Sequence, residues 1–239
     1  MLKFLHTYTD DDIHLTGLEY RSNNSRSCCL LIPGMGGNYI DNSFINILGE
    51  ALSSNGINYI ACNTRGSFNI NYSHSIKSDK VKEIGIINEM FDDCIYDIKA
   101  WLDLALNLGY DDITLIGHSV GCNKIIYFLD IFNNYNNVND IILISPADYA
   151  YRMKKKSNYA SVLSEIKQNC KFRNNNKIVY FDYYYKYSYA MLDLFLNENI
   201  NNFPFLSNDI ARFNSFSNIK IPITIIFGSC EIQTIRNFP

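Results

Sequence analysis

The chain has little of what marks several large classes of protein. Its 239 residues carry a formal net charge of −3 at pH 7, so it has no excess of basic charge to hold nucleic acid. No apolar run approaches the roughly 20 residues that a membrane-spanning helix needs. The N-terminal stretch, MLKFLHTYTDDD, lacks the long apolar core of a signal peptide. We therefore expect a cytoplasmic protein with neither a nucleic-acid partner nor a membrane partner.

Paired cysteine motifs are absent and histidines are scarce. The seven cysteines are an odd number, none has CxxC spacing, and Cys28 and Cys29 are adjacent within an apolar run. This pattern favours reduced, mostly buried thiols and argues against a zinc site, and we expect no metal or other cofactor. Only four histidines are present, at positions 6, 14, 74 and 118. The chain therefore offers few imidazoles that could act as a base.

Apolar runs of strand length alternate with segments in which apolar residues recur at helical spacing. Buried strands are predicted for residues 28–32, 57–62, 113–116, 138–144 and 221–227. The clearest helix is residues 90–108, whose single apolar stripe ends at Gly109. Further helices are predicted for residues 41–54 and 122–132. This alternation is typical of a parallel sheet with right-handed crossovers.

The N-terminal part departs from this alternation. Residues 2–9 and 15–21 flank an acidic turn at 10–12, which predicts an antiparallel hairpin. Residues 67–82 are mostly polar and are predicted to be a loop. The length suits one domain, residues 1–239. The fold class is therefore α/β, a mostly parallel sheet flanked by helices on both faces.

Residues 147–218 interrupt the alternation a second time. This long segment is rich in tyrosine and lysine and is partly helical, with helices predicted at 159–169 and 188–197. It lies between two predicted core strands, so we expect it to cover the carboxyl edge of the sheet as a substrate-binding lid or as a decorative insertion. Its aromatic residues at 180–189 and 203–205 either line an apolar acyl or aryl pocket or form a small core of the lid.

The pentapeptide at residues 117–121, GHSVG, carries the strongest chemical signal. It follows a predicted strand and precedes a predicted helix, the context of a nucleophile elbow. In such a sharp turn the two glycines avoid clashes beside the serine. The hydroxyl of Ser119 is then raised at the N-terminus of the helix.

With these landmarks the chain resembles the α/β-hydrolase family over essentially its whole length. The matching stretches occur in family order: PGMGG at 33–37, NTRG at 63–66, GHSVG at 117–121 and PITIIFGS at 222–229. Within the family, GHSVGCNK and LISPAD look most like a subgroup of small cytosolic serine hydrolases similar to fungal siderophore-type esterases. A dinucleotide site is a poor alternative, because GMGG at 34–37 lacks GxGxxG spacing.

The resemblance implies roles for individual residues. Ser119 matches the nucleophile, and the backbone N–H groups of Met35 and Val120 match an oxyanion hole. The glycines of the 33–37 stretch would let the backbone approach the substrate, so Gly34 and Gly36 are expected in the substrate site together with His118. The family usually has a histidine where this chain has Pro33, which removes any support that the imidazole gives.

The acid and the base fit the family less well. The resemblance places the acid at Glu231, where the family usually has aspartate, and Asp148 is the alternative. The family's order along the chain is serine, acid, histidine. None of the four histidines follows Glu231. His118 is expected to pack beside the nucleophile strand, His74 to lie on a loop, and His6 and His14 to lie on the hairpin.

The resemblance implies a serine hydrolase that cleaves carboxylic ester or thioester bonds of small molecules through an acyl-enzyme. Without a histidine after the acid, we expect weak activity or none. The favoured explanation is truncation before the family's final strand and helix, and a pseudoenzyme is second. A truncated chain would expose the C-terminal edge of its sheet and could self-associate there. An acyltransferase and a non-catalytic protein that binds a small ligand remain alternatives.

Overall fold

The computed structural model describes residues 1–22, 25–132, 135–169, 179–181, 185–187, 197–203 and 213–229. A seven-stranded sheet forms its centre. Its strands are β1 (Leu2–Tyr8), β2 (His14–Tyr20), β3 (Ser27–Ile32), β4 (Asn58–Cys62), β7 (Asp112–His118), β8 (Val138–Ile144) and β11 (Ile223–Ile226). They lie in the order β1-β2-β4-β3-β7-β8-β11. From β4 to β11 neighbouring strands are parallel, whereas β1 and β2 are antiparallel to their neighbours.

Helices connect the parallel strands. The principal ones are α1 (Ser43–Ser54), α2 (Cys94–Asn107) and α3 (Val120–Ile131), with a 3₁₀ turn at Phe91–Asp93 before α2. The shorter elements are α4 (Tyr149–Lys154), α5 (Tyr159–Asn169), the strands β9 (Val179–Phe181) and β10 (Tyr185–Tyr187), a 3₁₀ turn at Glu198–Asn201 and α6 (Asn214–Asn218). In the described part of the chain, no helix is both long and apolar enough to cross a membrane.

These elements confirm the predicted α/β class, the N-terminal hairpin and the predicted core strands. The structure differs in the segment after β4, which was predicted to be a polar loop. Here β5 (Asn71–His74) pairs with β6 (Val81–Ile84) as a separate antiparallel hairpin. Most of its side chains are exposed, so its sequence carries no apolar alternation that would predict strands.

Two apolar clusters pack the two faces of the sheet. The larger contains Trp101, which is fully buried and donates a hydrogen bond from Nε1 to the carbonyl oxygen of Asn63 at 2.8 Å. The smaller contains Tyr59 and Ile45 beneath α1. All five cysteines in the described residues are free and buried. Burial raises the pKa of the Cys29 thiol to about 11.

Residues 147–218, the predicted lid, are described only in part. The predicted helix at 159–169 is confirmed as α5, whereas residues 188–196 and 204–205 lie outside the described residues. Phe203 differs from both predictions made for it, which were a position lining a substrate pocket and a position in a small core of the lid. It is 2% exposed, packs edge-on against Phe216 and joins the larger core cluster. At this point the inserted segment is part of the main core.

A buried arginine ties the region after β4 to α2 and to the N-terminal hairpin. The guanidinium of Arg65 donates to Asp97 at 3.0 Å and to both carboxylate oxygens of Asp11 at 2.8 and 2.9 Å. It also lies 3.2 Å from Asp93. Asp97 is fully buried, and burial raises its pKa although Arg65 opposes the shift. Arg65 therefore makes the burial of this carboxylate tolerable.

We predict that Arg65→Met will lower the free energy of unfolding by about 3–5 kcal/mol, because it leaves the buried carboxylate of Asp97 without its cation. Urea denaturation monitored by circular dichroism will measure the change. The matched control is Arg26→Met, since Arg26 pairs with Asp111 at an exposed site. The control should cost about 0–1 kcal/mol. Equal losses in the two variants would contradict this account of Arg65.

Candidate active site

Ser119 lies on a sharp turn between β7 and α3. Its backbone has φ 53° and ψ −124°, a conformation that residues other than glycine rarely adopt. The turn is held by a hydrogen bond from the Ser119 N–H to the carbonyl oxygen of Ile144 at 2.9 Å. The predicted strand, turn and helix are therefore present, and the strained residue is the serine itself.

The glycines on either side of Ser119 are required because any side chain there would overlap neighbouring backbone atoms. A Cβ on Gly121 would lie 2.2 Å from the carbonyl oxygen of Ile32, and one on Gly117 would lie 2.7 Å from Cα of Cys122. Neither position leaves room for a methyl group. Gly121 thus lets α3 begin directly against the end of β3.

The glycine loop, residues 33–37, passes over the serine. A Cβ on Gly34 would lie 2.9 Å from Cβ of Ser119 and 3.5 Å from its Oγ. Gly36 has φ +67°, and its backbone forms an isolated bridge with Ser67. Met35 lies between these two glycines and is half-buried. The structure therefore brings Gly34 against Ser119, with Met35 and Gly36 next to it on the same loop.

The structure describes three of the four other predicted site residues. Val120 is 4% exposed and is the first residue of α3. The ring of His118 packs against Phe44 at 4.9 Å between centroids. Asp148 is 2% exposed and follows β8, the strand beside β7. Glu231 lies outside the described residues.

The remaining histidines form a group at the far side of the sheet. His6 Nδ1 lies 3.1 Å from His14 Nε2, and the backbone N–H of His14 donates to Oγ of Ser73, next to His74, at 2.7 Å. Burial lowers the pKa of His14, and the charges of His6 and His74 lower it further. Three strand spacings, roughly 14 Å, separate β2 from β7. These imidazoles are therefore well removed from Ser119.

One positioning contact escaped the sequence analysis. The fully buried Asn123 in α3 donates from Nδ2 to the carbonyl oxygens of Ala147 and Ile200 at 3.0 and 2.6 Å. Asn202 returns a hydrogen bond from its Nδ2 to the carbonyl oxygen of Asn123 at 3.0 Å. The contact fixes the first turns of α3 against the segment before Asp148. Its only signal in the sequence is an amide in a mostly apolar helix.

Known proteins with a similar backbone identify the fold. The chain superimposes on DcsB, solved in complex with its substrate analogue, with a TM-score of 0.65 and 12% identity over 99% of this chain and 96% of that one. It superimposes equally completely on the α/β hydrolase GrgF from Penicillium sp. sh18, with a TM-score of 0.63 and 13% identity over 99% and 96%. The chain has the α/β-hydrolase fold.

Two further comparisons bear on this α/β-hydrolase fold. The esterase Pf2001 from Pyrococcus furiosus matches with a TM-score of 0.56 and 18% identity over 99% of this chain and 76% of that one. Residues 95–178 match the serine hydrolase family, and this segment includes Ser119 and Asp148. No curated protein is significantly similar to the chain in sequence. The α/β-hydrolase fold therefore rests on backbone shape, whereas the similarity to serine hydrolases in sequence is limited to the segment around the serine.

We predict that Gly121→Ala will destabilise the fold by more than about 2 kcal/mol, because its methyl group overlaps the carbonyl oxygen of Ile32. Thermal unfolding will measure the loss. Gly109→Ala is the matched control, since Gly109 has open space around it and only a φ of +91° to constrain it. The control should cost about 1 kcal/mol through backbone strain. A smaller loss at Gly121 than at Gly109 would show that the elbow is not so closely packed.

Proposed function

We propose that this chain is a serine hydrolase-type protein in which Ser119 attacks the acyl carbon of a carboxylic ester or thioester. The observation that carries the proposal is the φ of +53° at Ser119 with the glycine loop directly against it. Backbone strain at a single polar residue, next to a glycine-rich loop, is typical of a reactive site. The esterase Pf2001 and the family match around the serine support the same class of reaction.

In the proposed reaction, Oγ of Ser119 forms a bond to the acyl carbon and its proton passes to water. The carbonyl oxygen becomes negatively charged; the carbonyl then re-forms as the bond to the alcohol or thiol breaks, and the leaving group takes up a proton from water to leave an acyl-enzyme. Water then releases the acid. The N–H groups of Met35 and Val120 are the proposed donors to the oxyanion, because Val120 is in the first turn of α3, where N–H groups have no partner within the helix.

The proposed acid remains Glu231, with Asp148 as the alternative. Asp148 is buried and follows the strand next to β7, which suits a carboxylate that orients a base. We propose no histidine as the base, because His6, His14 and His74 are grouped far from Ser119 and the ring of His118 packs on Phe44. We therefore propose slow turnover, with acceleration over water of about 10³–10⁴ from the oxyanion hole and binding alone.

The placement of the histidines also favours a second candidate, a non-catalytic protein that binds a small ligand at the same site. An acyltransferase shares the acyl-enzyme, and only the acceptor distinguishes it from a hydrolase.

The free, buried cysteines support the proposal of a reducing, cytoplasmic location.

We predict that a fluorophosphonate probe will label Ser119 slowly but stoichiometrically, because the elbow presents the hydroxyl even without a base. Intact-protein mass spectrometry and peptide mapping will locate the adduct. Ser119→Ala and urea-unfolded protein are the controls and should remain unlabelled. Absence of labelling in the folded protein, with ligand-dependent stabilisation that Ser119→Ala leaves intact, would favour the binding protein.

We also predict that added imidazole will accelerate hydrolysis of 4-nitrophenyl acetate by the wild-type chain, because a small base can take the proton of Ser119 and His6, His14 and His74 are grouped far from it. The increase should be about tenfold or more above the rate of imidazole alone. Release of 4-nitrophenolate in a spectrophotometer measures it. The Ser119→Ala variant should show only the rate of imidazole in solution. If wild-type and variant respond alike, Ser119 is not the nucleophile.

A further inference from the structure

A polar cavity of about 610 Å³ opens beside the glycine loop. Residues 35–37 of the loop form one side, and Asn38, Asp41, Asn42 and Asn69 provide the other lining side chains. Apart from Met35, no lining side chain is apolar. The volume suits a small molecule, but binding sites of this size are usually lined mostly by apolar groups. The lining therefore favours a ligand part that forms hydrogen bonds.

Asn38 holds the wall of this cavity in place. It is 2% exposed and accepts hydrogen bonds at Oδ1 from the N–H groups of Ile40 and Asp41 at 2.9 and 2.8 Å. Its Nδ2 donates to Oδ2 of Asp41 at 2.9 Å. The N–H of Asn38 in turn donates to Oδ1 of Asn42 at 3.0 Å. The carboxylate of Asp41 is thus positioned by a buried amide before any ligand arrives.

Asp41 also differs electrostatically from the carboxylates around Arg65. Asp11, Asp93 and Asp97 each lie within 3.2 Å of that guanidinium. Within the residues that the structure describes, no lysine or arginine forms an ion pair with Asp41. Asp41 is also exposed to solvent. The cavity therefore presents a negative charge that the protein does not neutralise.

We propose that this cavity binds the part of the substrate that bears a positive charge, and that Asp41 sets this preference. Candidate substrates are esters of amino alcohols, and esters that carry a carboxylate at this end are disfavoured. The proposal rests on the proposed function, because the cavity belongs to the active site only if Ser119 is the nucleophile under the glycine loop. Within that frame, Asp41 is a specificity residue that takes no part in the chemical step.

The first test compares two fluorophosphonates of equal shape, one ending in trimethylammonium and the other in tert-butyl. Each reaction forms a bond from phosphorus to Oγ of Ser119, releases fluoride and transfers the hydroxyl proton to water. We expect the cationic probe to label wild-type protein about fivefold faster, as one solvent-screened charge pair at about 4 Å would give. The ratio of the two rates should fall to about one in Asp41→Asn.

The matched control is Glu50→Gln, an exposed change on α1 that alters the net charge by the same amount. It should keep the wild-type ratio, which excludes an effect of overall charge. Raising the salt concentration to about 0.5 M should reduce the wild-type ratio, because exposed charges are screened. Equal labelling rates with both probes in wild-type protein, or an unchanged ratio in Asp41→Asn, would overturn the proposal.

A second test does not depend on the reactivity of Ser119. In a Ser119→Ala background, choline and 3,3-dimethylbutan-1-ol are titrated while NMR follows the side-chain amides of Asn38, Asn42 and Asn69. Choline should shift these signals at lower concentration than the neutral alcohol, and Asp41→Asn should remove the difference. A choline response without any labelling would refute the hydrolase and keep the cation preference of the cavity. Equal responses to the two compounds would refute the preference itself.

Discussion

The close approach of Gly121 to the end of β3 is the constraint on which the rest of the site depends. A methyl group there would lie 2.2 Å from the carbonyl oxygen of Ile32. Since no side chain fits, α3 begins directly against the sheet, and the chain must turn within one residue after β7. That residue is Ser119, which takes a left-handed conformation and lies under Gly34 of the neighbouring loop. The position of the hydroxyl is therefore a consequence of backbone packing.

Much of the fold could be predicted from the sequence, because the central strands are apolar runs and α2 has a clear apolar stripe. The elbow could be predicted for the same reason, since its glycines and serine are adjacent in the chain. The β5–β6 hairpin could not, because its strands are exposed and polar. Phe203 was also missed, since its burial beside Phe216 depends on contacts distant in sequence. The proposed roles of Glu231 and Asp148 stay predictions, because they came from the resemblance.

The distribution of charge separates structural from ligand-facing carboxylates. Asp97 is fully buried and depends on Arg65, so its role is to hold α2 to the region after β4. The buried pair of Lys124 and Glu89, 2.5 Å apart, likewise lies within the fold. Asp41 is held instead by the amide of Asn38 at the rim of a cavity. Among the described residues no cation of the protein pairs with Asp41, so its carboxylate is available to a cation on a ligand.

The left-handed conformation of Ser119 has an energetic consequence for the native state. Glycine adopts such angles without penalty, whereas a residue with a Cβ in an unfavourable backbone region raises the free energy by about 1–3 kcal/mol. Replacing this serine by glycine would thus be expected to make the protein more resistant to unfolding. The chain carries a side chain at the one point of the turn where having none would be thermodynamically better.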